Sequence, residues 1–142
     1  MKIFLDTGVI SEIKEFINKV DGVTTNPSLM KKAGVSDYEK FGKEILTITD
    51  KPISFEVFAD DFDEMERQAK IISSWGDNVY VKIPIMNTKG QSSIMLINKL
   101  LSEGIKINIT AVMKASQLSG LGDTKTPHII SVFAGRIADT GV

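Results

Sequence analysis

Six short runs rich in β-branched and aromatic residues, alternating with five stretches of helical periodicity, constrain the fold more than anything else in this chain. The runs cover residues 2–6, 23–25, 53–58, 79–82, 105–110 and 129–133. Between them, Ile10, Ile13, Ile17 and Val20 share one helical face, as do Tyr38, Phe41, Ile45 and Leu46, and then Ile94, Ile97 and Leu101. Helices are expected over 9–20, 36–49, 60–75 and 91–102, with a short one over 111–118 and a single turn over 29–33. Ser36 is the expected cap of the second, and Asp60 opens an acidic first turn in the third. Pro84 lacks a ladder donor, so the fourth run should end at Lys82 or just after. Strands alternating with helices give right-handed parallel units, either in a doubly wound sheet or in an α/β barrel.

Two observations separate these architectures. Neither G-x-G-x-x-G after the first run nor G-x-x-x-x-G-K-[ST] occurs, so nucleotide-binding doubly wound folds lose their usual mark. Polar residues also recur late in the runs: Asp6, Thr24 to Asn26, Glu56, Lys82, Asn108 with Thr110, and Ser131. In a barrel such strand ends converge on one mouth, which turns scattered residues into a single site. A barrel within one domain over 1–142 is the expectation.

Composition removes several classes of function. A formal net charge of −1, with no local basic cluster, offers no electrostatic footprint for nucleic acid or an anionic membrane. Without cysteine there is no thiolate metal site or thiol nucleophile, and one histidine cannot build a multi-histidine site; no metal or cofactor is expected. The apolar run near the N-terminus is too short for a signal peptide and no segment reaches membrane-spanning length, so a cytoplasmic location is expected.

Lys82 is the conspicuous residue, a charge inside Val79-Tyr80-Val81-Lys82-Ile83-Pro84. A neutral amine attacks carbonyls, and apolar surroundings favour the neutral form of an amine. A Schiff-base lysine at the carboxyl end of a barrel strand is therefore the functional reading. His128 falls before the last run, on the opposite side of the sheet, and reads as structural.

The segments Ile3-Phe4-Leu5-Asp6-Thr7, Thr24-Thr25-Asn26-Pro27-Ser28, Phe55-Glu56-Val57, Val81-Lys82-Ile83-Pro84, Asn108-Ile109-Thr110 and Ser131 to Arg136, in this order, resemble the transaldolase family, in its compact branch that includes fructose-6-phosphate aldolases. The resemblance implies a TIM-type (β/α) barrel and a class I enzyme that moves a dihydroxyacetone unit between sugar phosphates in the pentose phosphate pathway. Fructose 6-phosphate, sedoheptulose 7-phosphate, erythrose 4-phosphate and glyceraldehyde 3-phosphate are the implied substrates. By the same resemblance Lys82 is the Schiff-base residue, Asp6 handles the proton of the donor hydroxyl as the carbon–carbon bond breaks, and Glu56 with Thr110 holds a water for proton transfer. Asn26 and Asn108 bind donor hydroxyls, Thr24 shapes the pocket floor, and Arg136 with Ser131 binds phosphate.

The chain also departs from the family. Valine stands at 132 where proline is more common, and six strands are read where such barrels have eight. An incomplete barrel is expected, either truncated or completed by a separate C-terminal piece, with a naturally short form closed by self-association into a homo-oligomer as the other reading. A carboxylate at Glu56, where aldolase members tend to carry glutamine, favours transfer over aldol cleavage. A non-catalytic sugar-phosphate-binding chain is the alternative from another class.

Overall fold

Val23, Ile53, Phe55, Val81, Ile83, Ile107 and Ile109 share one face of the sheet, and each is fully buried. In strands, side chains alternate between faces, so this parity leaves Thr24, Ser54, Glu56, Lys82, Asn108 and Thr110 on the other face. The computed structural model describes residues 1–141. Its strands are β1 (Phe4–Asp6), β2 (Gly22–Thr24), β3 (Ile53–Glu56), β4 (Val79–Pro84), β5 (Ile107–Val112) and β6 (His128–Val132). All adjacent pairs are parallel, and the spatial order is the chain order. A doubly wound sheet reverses its order at a switch point, whereas consecutive order is what a barrel needs. The sheet curls into a partial barrel of α/β type.

Helices α1 (Ile10–Phe16), α2 (Pro27–Lys32), α3 (Tyr38–Ile48), α4 (Phe62–Ser73) and α5 (Ile94–Ser102) link the strands, and α6 (Ala134–Asp139) follows β6. Ile13, Ile45, Met65, Ala69, Ile97 and Leu100 lie buried on their inward faces, in one core cluster with the apolar sheet residues. Each large side chain so buried contributes about 1.5–3 kcal/mol, which is why the apolar parity goes outward, under the helices. Among the described residues no helix is long and apolar enough to cross a membrane.

The differences from the sequence reading have local causes. Asp37, not Ser36, caps α3, its Oδ1 accepting from the Lys40 amide at 3.0 Å. The first helix is α-helical only to Phe16 and finishes as a 3₁₀ turn over Ile17–Lys19. β4 continues through Pro84 because the peptide groups of even-numbered β4 residues face β3, as the Val57 amide bound to the Lys82 carbonyl shows. β3 ends at Glu56, so the missing proline N–H costs no ladder bond there.

The helix expected over 111–118 is replaced by the end of β5 and a 3₁₀ turn over Ala115–Leu118. Ala111 has φ 59°, in the left-handed region, at a shift in the β5–β6 register between Ile109 and Val112. A residue held there cannot open a right-handed helix. Arg136 lies on α6, a helix the periodicity did not predict. On β6 the outer face stays open, with Ile130 40% and Val132 57% exposed.

Gly8 shows how closely the loop after β1 meets α2. A Cβ there would stand 2.6 Å from the Leu29 carbonyl oxygen and 2.8 Å from the Met30 amide nitrogen, both backbone atoms that cannot swing away. Gly8→Ala should destabilise the fold by about 1–3 kcal/mol in urea denaturation, the usual cost of overpacking. Wild-type stability in that variant would mean that α2 is not seated against β1.

Candidate active site

Three strands bring the centre together by register. Glu56 on β3 pairs with Lys82 on β4, which pairs with Asn108 on β5. Strand spacing of about 4.8 Å sets their side chains next to one another on the polar face. Lys82 is buried, at 7% exposure, and it shares the wall of a cleft of about 840 Å³ with Glu56, Asn26 and Arg136. Small-molecule sites usually hold about 300–1,000 Å³, so the cleft has room for one small-molecule ligand.

Burial pushes the Glu56 carboxyl above its ordinary range; the Lys82 charge pulls the other way, and Asp6 adds a smaller upward push. Desolvation outweighs the ammonium, so this acid holds its proton more readily than a surface glutamate. Asn108 is fixed from both ends: its Nδ2 donates to Ser54 Oγ at 3.0 Å, and Ser131 Oγ donates to its Oδ1 at 2.7 Å. Thr110, two residues on, is buried with its hydroxyl unpartnered among the described protein atoms. A buried hydroxyl normally has a hydrogen-bond partner, so this one is free to hold a small polar molecule.

The other expected residues come from β1, β2, the start of α2, α6 and the start of β6. Asp6 ends β1 on the exposed rim, where Thr24 Oγ1 donates to its Oδ1 at 2.6 Å. Thr24 therefore orients that carboxylate. Asn26 caps α2, its Oδ1 accepting from the Leu29 amide at 2.9 Å, which leaves its Nδ2 for the cleft. Arg136 is exposed on the cleft wall. His128 is exposed at the start of β6, with Nδ1 3.1 Å from the Thr126 carbonyl oxygen.

Sequence reasoning passed over three residues near the site. Ser54 shares parity with Glu56 on β3 and holds Asn108, a signal that was present in the alternation. Asp60 and Thr88 tie the loops after β3 and β4 across the cleft, through the Thr88 amide and hydroxyl, each at 2.7 Å. Those two bonds hold the Asp60 carboxyl below its usual range.

A profile described as transaldolase/fructose-6-phosphate aldolase matches residues 3–142. A probable transaldolase of Methanococcus maripaludis is 43% identical over 143 residues, covering 99% of this chain and 64% of the relative. Probable transaldolase 2 of Listeria monocytogenes is 42% identical, covering 99% of this chain and 63% of its own length. A probable transaldolase of Herpetosiphon aurantiacus is 40% identical, at 99% and 62%. The chain thus spans less than two thirds of the length of these curated relatives.

The raised Glu56 carboxyl carries a sign that can be checked. A group whose folded value lies above its unfolded one contributes stability at low pH and loses it as pH rises through the folded value. Wild-type stability relative to Glu56→Gln should therefore fall as pH rises from the ordinary glutamate range through the higher value of the folded carboxyl. Urea titrations of both proteins give that difference directly; a gap that is flat or that grows with pH contradicts the burial assigned to Glu56.

Proposed function

The chain belongs to the transaldolase/fructose-6-phosphate aldolase family, and on that premise we propose that it acts as a class I transaldolase, with Lys82 as its Schiff-base residue. The observation that carries the reading is the register of Glu56, Lys82 and Asn108, which sets a buried amine between a carboxyl and an amide on a cleft wall. In this reading the Lys82 amine adds to the C2 carbonyl of fructose 6-phosphate, and the carbinolamine loses water to give an iminium. Glu56 and a water held with Thr110 supply and remove the protons of those steps.

Asp6 then accepts the proton of the C4 hydroxyl as the C3–C4 bond breaks. The bonding pair moves into the iminium, which becomes an enamine, and glyceraldehyde 3-phosphate leaves. The enamine carbon attacks the aldehyde of erythrose 4-phosphate, Asp6 returns its proton to the new alkoxide, and hydrolysis frees sedoheptulose 7-phosphate and the amine. Asn26 and Asn108 hydrogen-bond the dihydroxyacetone unit in this scheme, while Arg136 and Ser131 take the phosphate. A guanidinium can grip a phosphate through two parallel hydrogen bonds, which suits an arginine on the rim.

A further part of the proposal concerns the barrel. β1 and β6 are both edges among the described residues, and edge strands with exposed apolar faces invite pairing. We read the domain as six βα units of a barrel of the eight-unit kind, with a cytoplasmic location.

Treating the protein with borohydride and fructose 6-phosphate should leave a covalent adduct on the peptide carrying Lys82, read by mass spectrometry. Lys82→Met should abolish it. Asp6→Asn should still trap uncleaved fructose 6-phosphate at Lys82 but lose carbon–carbon cleavage by about 10²–10⁴-fold, the usual weight of an acid–base group. A folded protein that forms no adduct would favour a sugar-phosphate binder over an enzyme.

A further inference from the structure

The ladder between β2 and β3 breaks next to the catalytic glutamate. Val23 donates its amide to the Pro52 carbonyl at 2.9 Å, and Thr25 donates to the Ser54 carbonyl at 3.1 Å. Continued by two residues, the pattern would send the amide of residue 27 to the Glu56 carbonyl. Residue 27 is proline, which has no N–H, and it opens α2. The Glu56 carbonyl is nevertheless satisfied: the Tyr38 hydroxyl, from the first residue of α3, donates to it at 2.8 Å.

We propose that Tyr38 is a positioning residue, whose hydroxyl replaces the ladder donor missing at Pro27 and fixes Glu56 opposite Lys82. This rests on the catalytic role proposed for Glu56. The same peptide plane joins the Glu56 carbonyl to the Val57 amide, and that amide donates to the carbonyl of Lys82 at 3.1 Å. One rigid unit is therefore clamped from both sides, by Tyr38 and by the backbone of the lysine itself. Released on the Tyr38 side, it could turn, and the Glu56 side chain would turn with it.

The tyrosine is built to hold its aim. Its ring meets Phe58 edge-on at 4.5 Å between centroids, Trp75 at 5.6 Å and Phe55 at 6.1 Å. Phe55 immediately precedes Glu56, and Phe58 lines the cleft, so the cluster grips the strand end on both sides of the carboxyl. Burial pushes the hydroxyl's ionisation upward, which keeps the proton on the donor. The charged groups that bear on Glu56 are Lys82 and Asp6, and Tyr38→Phe leaves both in place.

Tyr38→Phe, compared with wild type in the full chain, tests the role. Carbon-13 titration of the Glu56 carboxyl should show its midpoint falling toward the ordinary carboxylate range as water reaches it. Hydrogen exchange at the Val57 amide should speed up, and trapping by fructose 6-phosphate and borohydride should slow by about tenfold, less than the roughly 10²–10⁴-fold cost of losing an acid–base group outright. Replacing Tyr38 by 4-aminophenylalanine, which keeps the ring and a donor, should restore all three. Trp75→Phe loosens the same cluster but keeps the hydroxyl, so it should lower the melting temperature without moving the Glu56 midpoint.

Unchanged Val57 exchange and an unchanged Glu56 midpoint in Tyr38→Phe would overturn the proposal. So would a Tyr38 hydroxyl proton that exchanges freely with bulk water in the unmutated protein, a measurement that does not depend on the variant folding. If wild type forms no adduct while Tyr38→Phe still frees Val57 and shifts Glu56, the chemistry assigned to the site falls and the positioning contact stands.

Discussion

The parallel ladder from β3 through β5 is the constraint on which the site depends. It holds Glu56, Lys82 and Asn108 abreast without any of the three needing to reach for another. The ladder survives because its other face is dry: Ile53, Phe55, Val81, Ile83, Ile107 and Ile109 are sealed under helices, and a one-residue slip would turn these chains toward the polar interior. The same hydrophobic parity that fixes the fold thus fixes the spacing of the chemistry.

Burying polar groups is costly unless they find partners, and the inner face meets this condition in two ways. Ser54, Asn108 and Ser131 form a chain of hydrogen bonds within the protein, which leaves a second Nδ2 hydrogen of Asn108 uncommitted. Glu56 has instead the nearby Lys82 charge, and burial prevails over that attraction enough to raise the carboxyl. A carboxyl that keeps its proton readily, beside an amine, suits a group that must give and take protons during imine formation. Asp6, on the rim and bonded by Thr24, lies in a wetter setting, so two carboxyl groups in one site have different environments and can take different roles.

How much of this is legible in the sequence depends on whether the cause is local. Lys82 stands out because a charge interrupts an apolar strand, and the barrel follows from strand–helix alternation with polar residues late in the strands. The α3 cap lies one residue from where it is expected because Ser36 and Asp37 are both good caps and only the fold chooses between them. Ala111 reads as a helix former, yet a bulge against β6 sets its backbone, and that pairing joins residues far apart in the chain. Tyr38 is hidden for the same reason. Its ring fits a helical apolar face, and nothing near it announces a hydroxyl bound to a strand carbonyl where Pro27 has removed the usual donor.

The most direct measurement is a crystal structure of the chain grown with fructose 6-phosphate and no reductant. Continuous density from Lys82 Nζ to C2 of the ketose, with the Glu56 carboxyl within hydrogen-bond reach of the new bond and the sugar lying in the cleft, is the predicted result. A sugar bound elsewhere, or seated in the cleft with the Lys82 amine turned away into solvent, would contradict it.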